Sequence, residues 1–198
     1  MLSIDKKLIS RIYGHGRGWV FSPNQFFDLG SRSAVGLALH RLAKSGVVRR
    51  LSRGLYDYPR SDPTFGVLAP SPDAVAKALA GKLAVRIQPS GAYAANLLGV
   101  SEQVPAKIVF LTDGRPNRVL IGRQEIRLRR TSTRNMATAG RLSGLVIQAL
   151  RYLGRTHVDE RTLARLKQKL TETDRESLMK DVSYAPAWIA DIMRTLGK

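Results

Sequence analysis

Residues 30–59 read GSRSAVGLALHRLAKSGVVRRLSRGLYDYP. A helical apolar rhythm runs straight into arginines set around a Ser-Arg-Gly turn. On a wheel of about 100° per residue, Val35, Ala38, Leu39 and Leu42 gather on one side of a helix over 32–44. Arg32, Ser33, Gly36, Leu37, His40 and Lys44 fall on the other side, with Arg41 flanking. One face can be buried; the opposite face is small at its start and basic toward its end. A helix that enters a DNA major groove needs this distribution, because small residues let its first turns approach base edges while long cations reach phosphates. Arg32 and Ser33 are the expected base readers. Arg49, Arg50 and Arg53, at or near the tip of the hairpin that follows, are the expected phosphate clamps. Gly36, Leu37, His40, Arg41 and Lys44 complete the candidate DNA-binding set. The plainer alternative is a small helical domain with a solvated basic face.

The residues upstream extend the pattern. Ile4, Leu8 and Ile12 form a stripe on a helix that Ser3 can cap, and GHGRG ends it. WVF predicts a short strand. Ser22 followed by Pro23 is a helix-start signature, which predicts a second helix over 23–28. Ser31 or Ser33 caps the third helix and Gly46 stops it. VVRRL and LYDYP predict two strands around the three-residue turn SRG. Helix, strand, helix, turn, helix and hairpin is the order of a winged helix-turn-helix.

Downstream, PRSDPTFGVLAPSPD holds four prolines and little periodicity, which predicts a linker. Domains are therefore expected over 1–60 and 73–198, with a linker over 61–72. In the second domain a helix is expected over 73–83, a strand in AVRIQP, and a helix capped by Ser90. Strands are expected in AKIVFLT, RVLIG and EIRLRR, and helices over 137–153, 160–170 and 186–196. The fold class is α+β: an N-terminal winged helix-turn-helix, then a mixed α/β domain with a small sheet and C-terminal helices.

Composition limits the function. The 198 residues carry 33 Lys and Arg against 15 Asp and Glu, a formal net charge of +18. That excess points to a polyanionic partner, nucleic acid before an anionic membrane. Residues 1–60 alone hold eleven basic and three acidic side chains, the steepest imbalance in the chain. The absence of cysteine excludes disulfides and thiolate metal sites and suits a reducing cytoplasm. No apolar run approaches 18 residues, and Asp5, Lys6, Lys7 and Arg11 stand where a signal peptide would be apolar. A cytoplasmic protein with no membrane partner is expected.

Several stretches carry a family likeness: LHRLAKSGVVRRLSRGLYDYP, SPDAVAKALA, IQPSGAYAANLLGVSEQVPAKIVFLTDG and IRLRRTS. Together they resemble the AbiEi-type antitoxins of type IV toxin–antitoxin systems, in the short two-domain branch with an N-terminal winged helix. The likeness runs from about Phe26 to Leu153 and thins beyond. RGLYDYP and PSGAYAANLLG…QVPAKIVFLTDG are its more specific parts. The resemblance implies a bacterial autorepressor whose winged helix binds double-stranded promoter DNA. It also implies a C-terminal domain that counters a nucleotidyltransferase-like toxin of the AbiEii type, directly or functionally. The family's DNA-reading element falls on the winged-helix residues named above.

Other chemistry reads more weakly. Asp113 with Glu125 and Arg127 faintly suggests a metal-dependent nuclease, against an ordinary turn and strand. Ser90 reads better as a helix cap than as a nucleophile, since His15, His40 and His157 lie in no triad context. Three scattered histidines and no cysteine argue against a zinc site, no cofactor is called for, and no enzymatic activity is expected. Tyr93 and Tyr152, which could stack on RNA bases, sit in apolar helical patterns and read as core. A basic RNA- or ribosome-binding protein is the main alternative; it explains the charge but not the small-residue start of the third helix.

Overall fold

The computed structural model describes residues 3–198; the first two residues of the expected N-terminal domain lie outside it. The fold is mixed α+β: N-terminal helices with a small sheet, a central mixed sheet, and C-terminal helices. The chain divides into two compact units. The first runs to Ala84 and takes in Val119–Gly122; the second comprises Val85–Arg118 and Arg123–Lys198.

The first unit opens with α1 (Ile4–His15), whose Ser3 cap accepts from the Lys6 amide and whose last carbonyls are closed off at Gly16. β1 (Val20–Phe21) follows, and then a single 3-10 turn, Pro23–Phe26. The helix expected over 23–28 is therefore shorter and tighter. Ser22 and Gln25 form a reciprocal capping box at its start. Arg11 ends its run: its guanidinium donates to Gln25 O at 2.6 Å and to both Asp28 carboxylate oxygens at 2.7 and 2.6 Å. Ser31, rather than Ser33, caps α2 (Arg32–Lys44) by accepting from the Ala34 amide.

β2 (Arg49–Ser52) and β3 (Leu55–Asp57) form the wing. Ser52 pairs directly with Leu55, and the register shifts between Arg50 and Ser52. The turn is thus Arg53-Gly54, two residues rather than three, with the irregularity absorbed in the strand. Gly54 has a φ of 71°, the sign a tight hairpin turn demands and a side chain resists. The sheet order is β1-β3-β2, all antiparallel. Its core is Leu8, Ile12, Phe21, Phe26, Val35, Ala38, Leu39, Leu42, Val48 and Tyr56. Fully burying each of the larger apolar members contributes about 1.5–3 kcal/mol.

The expected linker is structured. β4 (Ser61–Asp62) and β5 (Gly66–Val67) form a second small hairpin. Asp62 turns it by accepting from the Thr64 and Phe65 amides at 2.8 and 3.0 Å, a local motif available to a short acid beside a proline. Next comes α3 (Pro72–Leu83), capped by Ser71 and packed against β1. The unit boundary therefore falls at residues 84–85. The chain between 61 and 72 does not separate the units, because the apolar face of α3 is buried in the first.

In the second unit, β6 (Ile87–Ser90) leads into α4 (Gly91–Leu97). β7 (Lys107–Thr112) and β9 (Gln124–Arg130) follow; with β8 (Asn117–Ile121), of which only Asn117 and Arg118 belong to this unit, the sheet has the order β6-β7-β9-β8. β7 runs parallel to β9 and antiparallel to β6. α5 is Leu142–Leu153, five residues shorter at its start than the expected 137–153. It begins late because Gly140, at a φ of 81°, leaves the helical path just before it and Arg141 is extended; within the helix, Gly144 sits against the Thr138 carbonyl and Gln88 Oε1, where any Cβ would collide. α6 (Glu160–Lys169) and α8 (Ala187–Leu196) stand where expected. Between them lies an unexpected α7 (Glu172–Asp181), started by a Thr171–Asp174 capping box. Its buried end residue Asp181 accepts from Arg141 at 2.5 Å and from the Ser143 hydroxyl, which ties α7 to the start of α5. Ile189, Met193 and Leu196 of α8 join Val146, Leu150 and Leu178 in this unit's core.

Candidate nucleic-acid interface

The wheel reading of α2 matches its burial. Val35, Ala38 and Leu39 are fully buried and Leu42 nearly so. Arg32, Ser33, Gly36, Leu37, His40 and Lys44 are all exposed. Leu37 is 57% exposed, a large aliphatic side chain in the middle of an otherwise polar face. Such a group can meet a thymine methyl in the major groove. The Arg32 guanidinium lies 5.3 Å from the centroid of the Phe27 ring, which holds it beside the helix start without neutralising it.

The arginines of the candidate set separate into two kinds. Arg50 and Arg53 are exposed, and among the described residues neither is in an ion pair. Arg49 is different. Its Nε and Nη2 donate to the two Asp57 carboxylate oxygens at 3.0 and 2.6 Å, and Nη2 also reaches Leu68 O at 2.9 Å. Asp57 is 1% exposed, so this fork closes a buried charge and its donors are committed. The expectation that Arg49 clamps a phosphate gives way to a structural role at the base of the wing. Arg41 is likewise engaged, donating through Nε and Nη2 to Asp5 at 2.9 and 2.6 Å. That pair is solvent-accessible, and it links α2 to α1.

The carboxylates feel these partners. The Arg41 hydrogen bonds hold Asp5 below the ordinary aspartate range, and those from Arg11 do the same for Asp28. Two bidentate links thus fix α1 against the segment that carries α2.

One cation is invisible to the local sequence pattern. Exposed Lys82, at the end of α3, brings its ammonium beside the wing turn, 3.1 Å from where a Cβ on Gly54 would stand. It lies 28 residues from Gly54 in sequence, so nothing local announces it.

The remaining candidates separate. Asp113 accepts from the Arg86 amide and guanidinium at 3.0 and 2.7 Å. Glu125 is paired with Arg127 and Lys107. Lys107 pairs with Glu125 and Thr112 with Arg130 along the parallel strands, so Asp113 and Glu125 stand at opposite ends, roughly 20 Å apart at the usual strand rise. The nuclease constellation is not assembled. Ser90 is buried and donates to Gln148 at 3.4 Å, and its side chain makes no cap bond to α4. Tyr93 is buried as expected, but Tyr152 is 45% exposed rather than core. Among the described residues no group of His, Asp and Glu is arranged to hold a metal, and no helix is long and apolar enough to cross a membrane.

The comparison with curated proteins finds no match. A family described as of unknown function, DUF6088, matches residues 7–178, most of both units, and the chain belongs to that family.

Proposed function

We propose that this protein is a DNA-binding autorepressor that also serves as the antitoxin of a type IV toxin–antitoxin operon, as its resemblance to AbiEi-type antitoxins implies. The observation that carries the DNA-binding half is α2. One of its faces is closed into the core, and the other offers Arg32, Ser33, Gly36, Leu37, His40 and Lys44 to solvent. The wing that follows adds Arg50 and Arg53. α2 reads base edges in a major groove, and the wing grips the adjacent backbone. The antitoxin half rests on the resemblance alone. In this reading the second unit counters a nucleotidyltransferase-like toxin, by capture or by protecting what the toxin attacks.

Fluorescence anisotropy of the full chain on its own upstream promoter duplex, against a scrambled duplex at several salt concentrations, tests the first half. A preference for the promoter that persists as salt rises is expected. Equal affinity for both duplexes at every salt concentration overturns it. Co-expression with the protein encoded immediately downstream tests the second half. Rescue of growth by the parent chain and by Arg50→Ala/Arg53→Ala alike is expected. Absence of toxicity from the neighbouring protein, or loss of rescue in the wing variant at normal abundance, removes the antitoxin assignment.

A further inference from the structure

Between residues 115 and 134 the chain carries seven arginines and a single acid, Glu125. That acid is already shared. Arg127 donates to it at 2.9 Å, and Lys107 Nζ lies 3.5 Å away. Arg118 and Arg129 are exposed, and among the described residues no ion pair includes either of them. Strand alternation sets Arg127 and Arg129 on one face of β9, while Ile126 and Leu128 are buried. Arg118 stands on the neighbouring strand β8. With Pro116, Asn117 and Leu128, these three arginines line an open groove of about 460 Å³.

Like charges gathered on one sheet face repel, and here a single shared carboxylate offsets them. The arrangement becomes favourable when a polyanion supplies the missing negative charge. Guanidinium forks match phosphate oxygens in geometry as well as charge. The groove lining includes no aromatic ring on which a base could stack, so the chemistry it recognises is the backbone and not the bases. None of these residues belongs to α2 or to the wing. We propose that the β8–β9 groove, through the unclaimed Arg118 and Arg129, is a second nucleic-acid site that grips the phosphodiester backbone irrespective of sequence.

The test uses the full chain in an Arg50→Ala/Arg53→Ala background, which removes the two unpaired arginines of the wing. Binding is measured against salt for a duplex DNA without the promoter and for a folded RNA hairpin, with polyglutamate as a polyanion that is not a nucleic acid. To that background are added Arg118→Ser/Arg129→Ser or Arg118→Lys/Arg129→Lys. On duplex DNA the serine pair should flatten the slope of log K against log salt by about 1.8, the release expected from two phosphates. The lysine pair should restore most of it. A loss on both polymers supports backbone recognition in general; a loss confined to one names that polymer as the source of the phosphodiester. Unchanged slopes on both polymers overturn the site. So does a loss that lysine fails to rescue and that a lowered melting temperature accompanies, since the arginines are then structural. Loss of polyglutamate binding with both nucleic-acid slopes intact also overturns it, in favour of an acidic protein partner. With the wing intact, the serine pair should keep the parent's preference for its promoter. If the parent shows no such preference, the reading of α2 fails while the groove is judged on its own slopes.

Discussion

At the base of the wing Arg49 lies half-buried with its fork closed on Asp57, whereas at the tip Arg53 stands in solvent and, among the described residues, is in no ion pair. Arg50, immediately after Arg49, goes with the tip. Composition counts all three as equal charges. Burial separates them: Asp57 has been taken out of water and requires a compensating cation, so Arg49 belongs to the fold. Arg50 and Arg53 keep their hydration and can exchange it, with their counterions, for phosphate. A basic residue in this protein therefore tells of a ligand only where no carboxylate of the chain has claimed it. The same division recurs in the second unit, where Arg127 is held by Glu125 and Arg129 is not.

The largest expected effect breaks the base. Arg49→Ala strands Asp57 in the interior. Losing one partner of a buried pair costs about 3–5 kcal/mol, and access of solvent to the Arg49 side puts this case at the lower end. Urea denaturation should show the loss, with DNA binding falling only as the unfolded fraction grows. Adding Asp57→Ala should recover part of it. An Arg49→Ala protein that melts like the parent and loses DNA binding anyway would return Arg49 to the interface.

Next in size is the proposed base reading at the start of α2. Arg32→Ala should reduce the preference for the promoter by about 1–3 kcal/mol, the worth of a bidentate contact from its guanidinium to a base, and Ser33→Ala by less, since its hydroxyl has a single donor. The melting curve should move little, since both side chains are exposed. Competition between cognate and scrambled duplexes measures the preference. Uniform weakening on both duplexes would make these residues backbone contacts, as at the tip.

The elements of the first unit were legible because their signals are local. Ser22-Pro23, Ser31 and the apolar spacing of Val35, Ala38, Leu39 and Leu42 are read from neighbours three or four residues apart. The division between Arg49 and Arg50 was not legible, because the burial of Asp57 comes from tertiary packing. The place of Lys82 beside the wing turn is illegible for the same reason. The hairpin over 61–67 hid behind prolines that read as a linker, although Asp62 two residues before Thr64 carried a turn signal. α7 hid because its apolar content is small: Leu178 is the only fully buried hydrophobic on it. The Thr171–Asp174 spacing was the one available clue.

At the tip the expected effects are smaller and of another kind. Arg50→Ala and Arg53→Ala should each weaken all duplexes alike and flatten the salt slope by about 0.9, with stability within about 0.5 kcal/mol of the parent. Lys82→Ala should act in the same direction, because its ammonium lies beside the same turn. Anisotropy at four or five salt concentrations resolves such changes. A tip variant that shifts promoter preference without altering the slope would place the tip among the base readers.

The smallest effect concerns Arg41, which lies between the two kinds: paired with Asp5, yet exposed. The Arg41 hydrogen bonds lower the Asp5 pKa on folding. A group whose folded pKa is depressed stabilises the fold above its unfolded value, near 4 for aspartate, and that stabilisation is lost as pH falls through the folded value. Asp28 follows the same rule through Arg11. Between pH 7 and 5 these pairs should leave the melting temperature unchanged. Below pH 4 the parent should lose stability faster than Asp5→Asn/Asp28→Asn, which has no such contribution to lose. Since the Asp5 pair is open to solvent, high salt should shrink the difference at pH 7. Asp5→Asn also converts Arg41 from a claimed cation into an unclaimed one on the rim of the α2 face. Low-salt affinity for every duplex should then rise slightly and the salt slope should steepen. If Asp5→Asn leaves both unchanged while the acid limb flattens as expected, Arg41 belongs with Arg49 and the unclaimed cations end at Lys44.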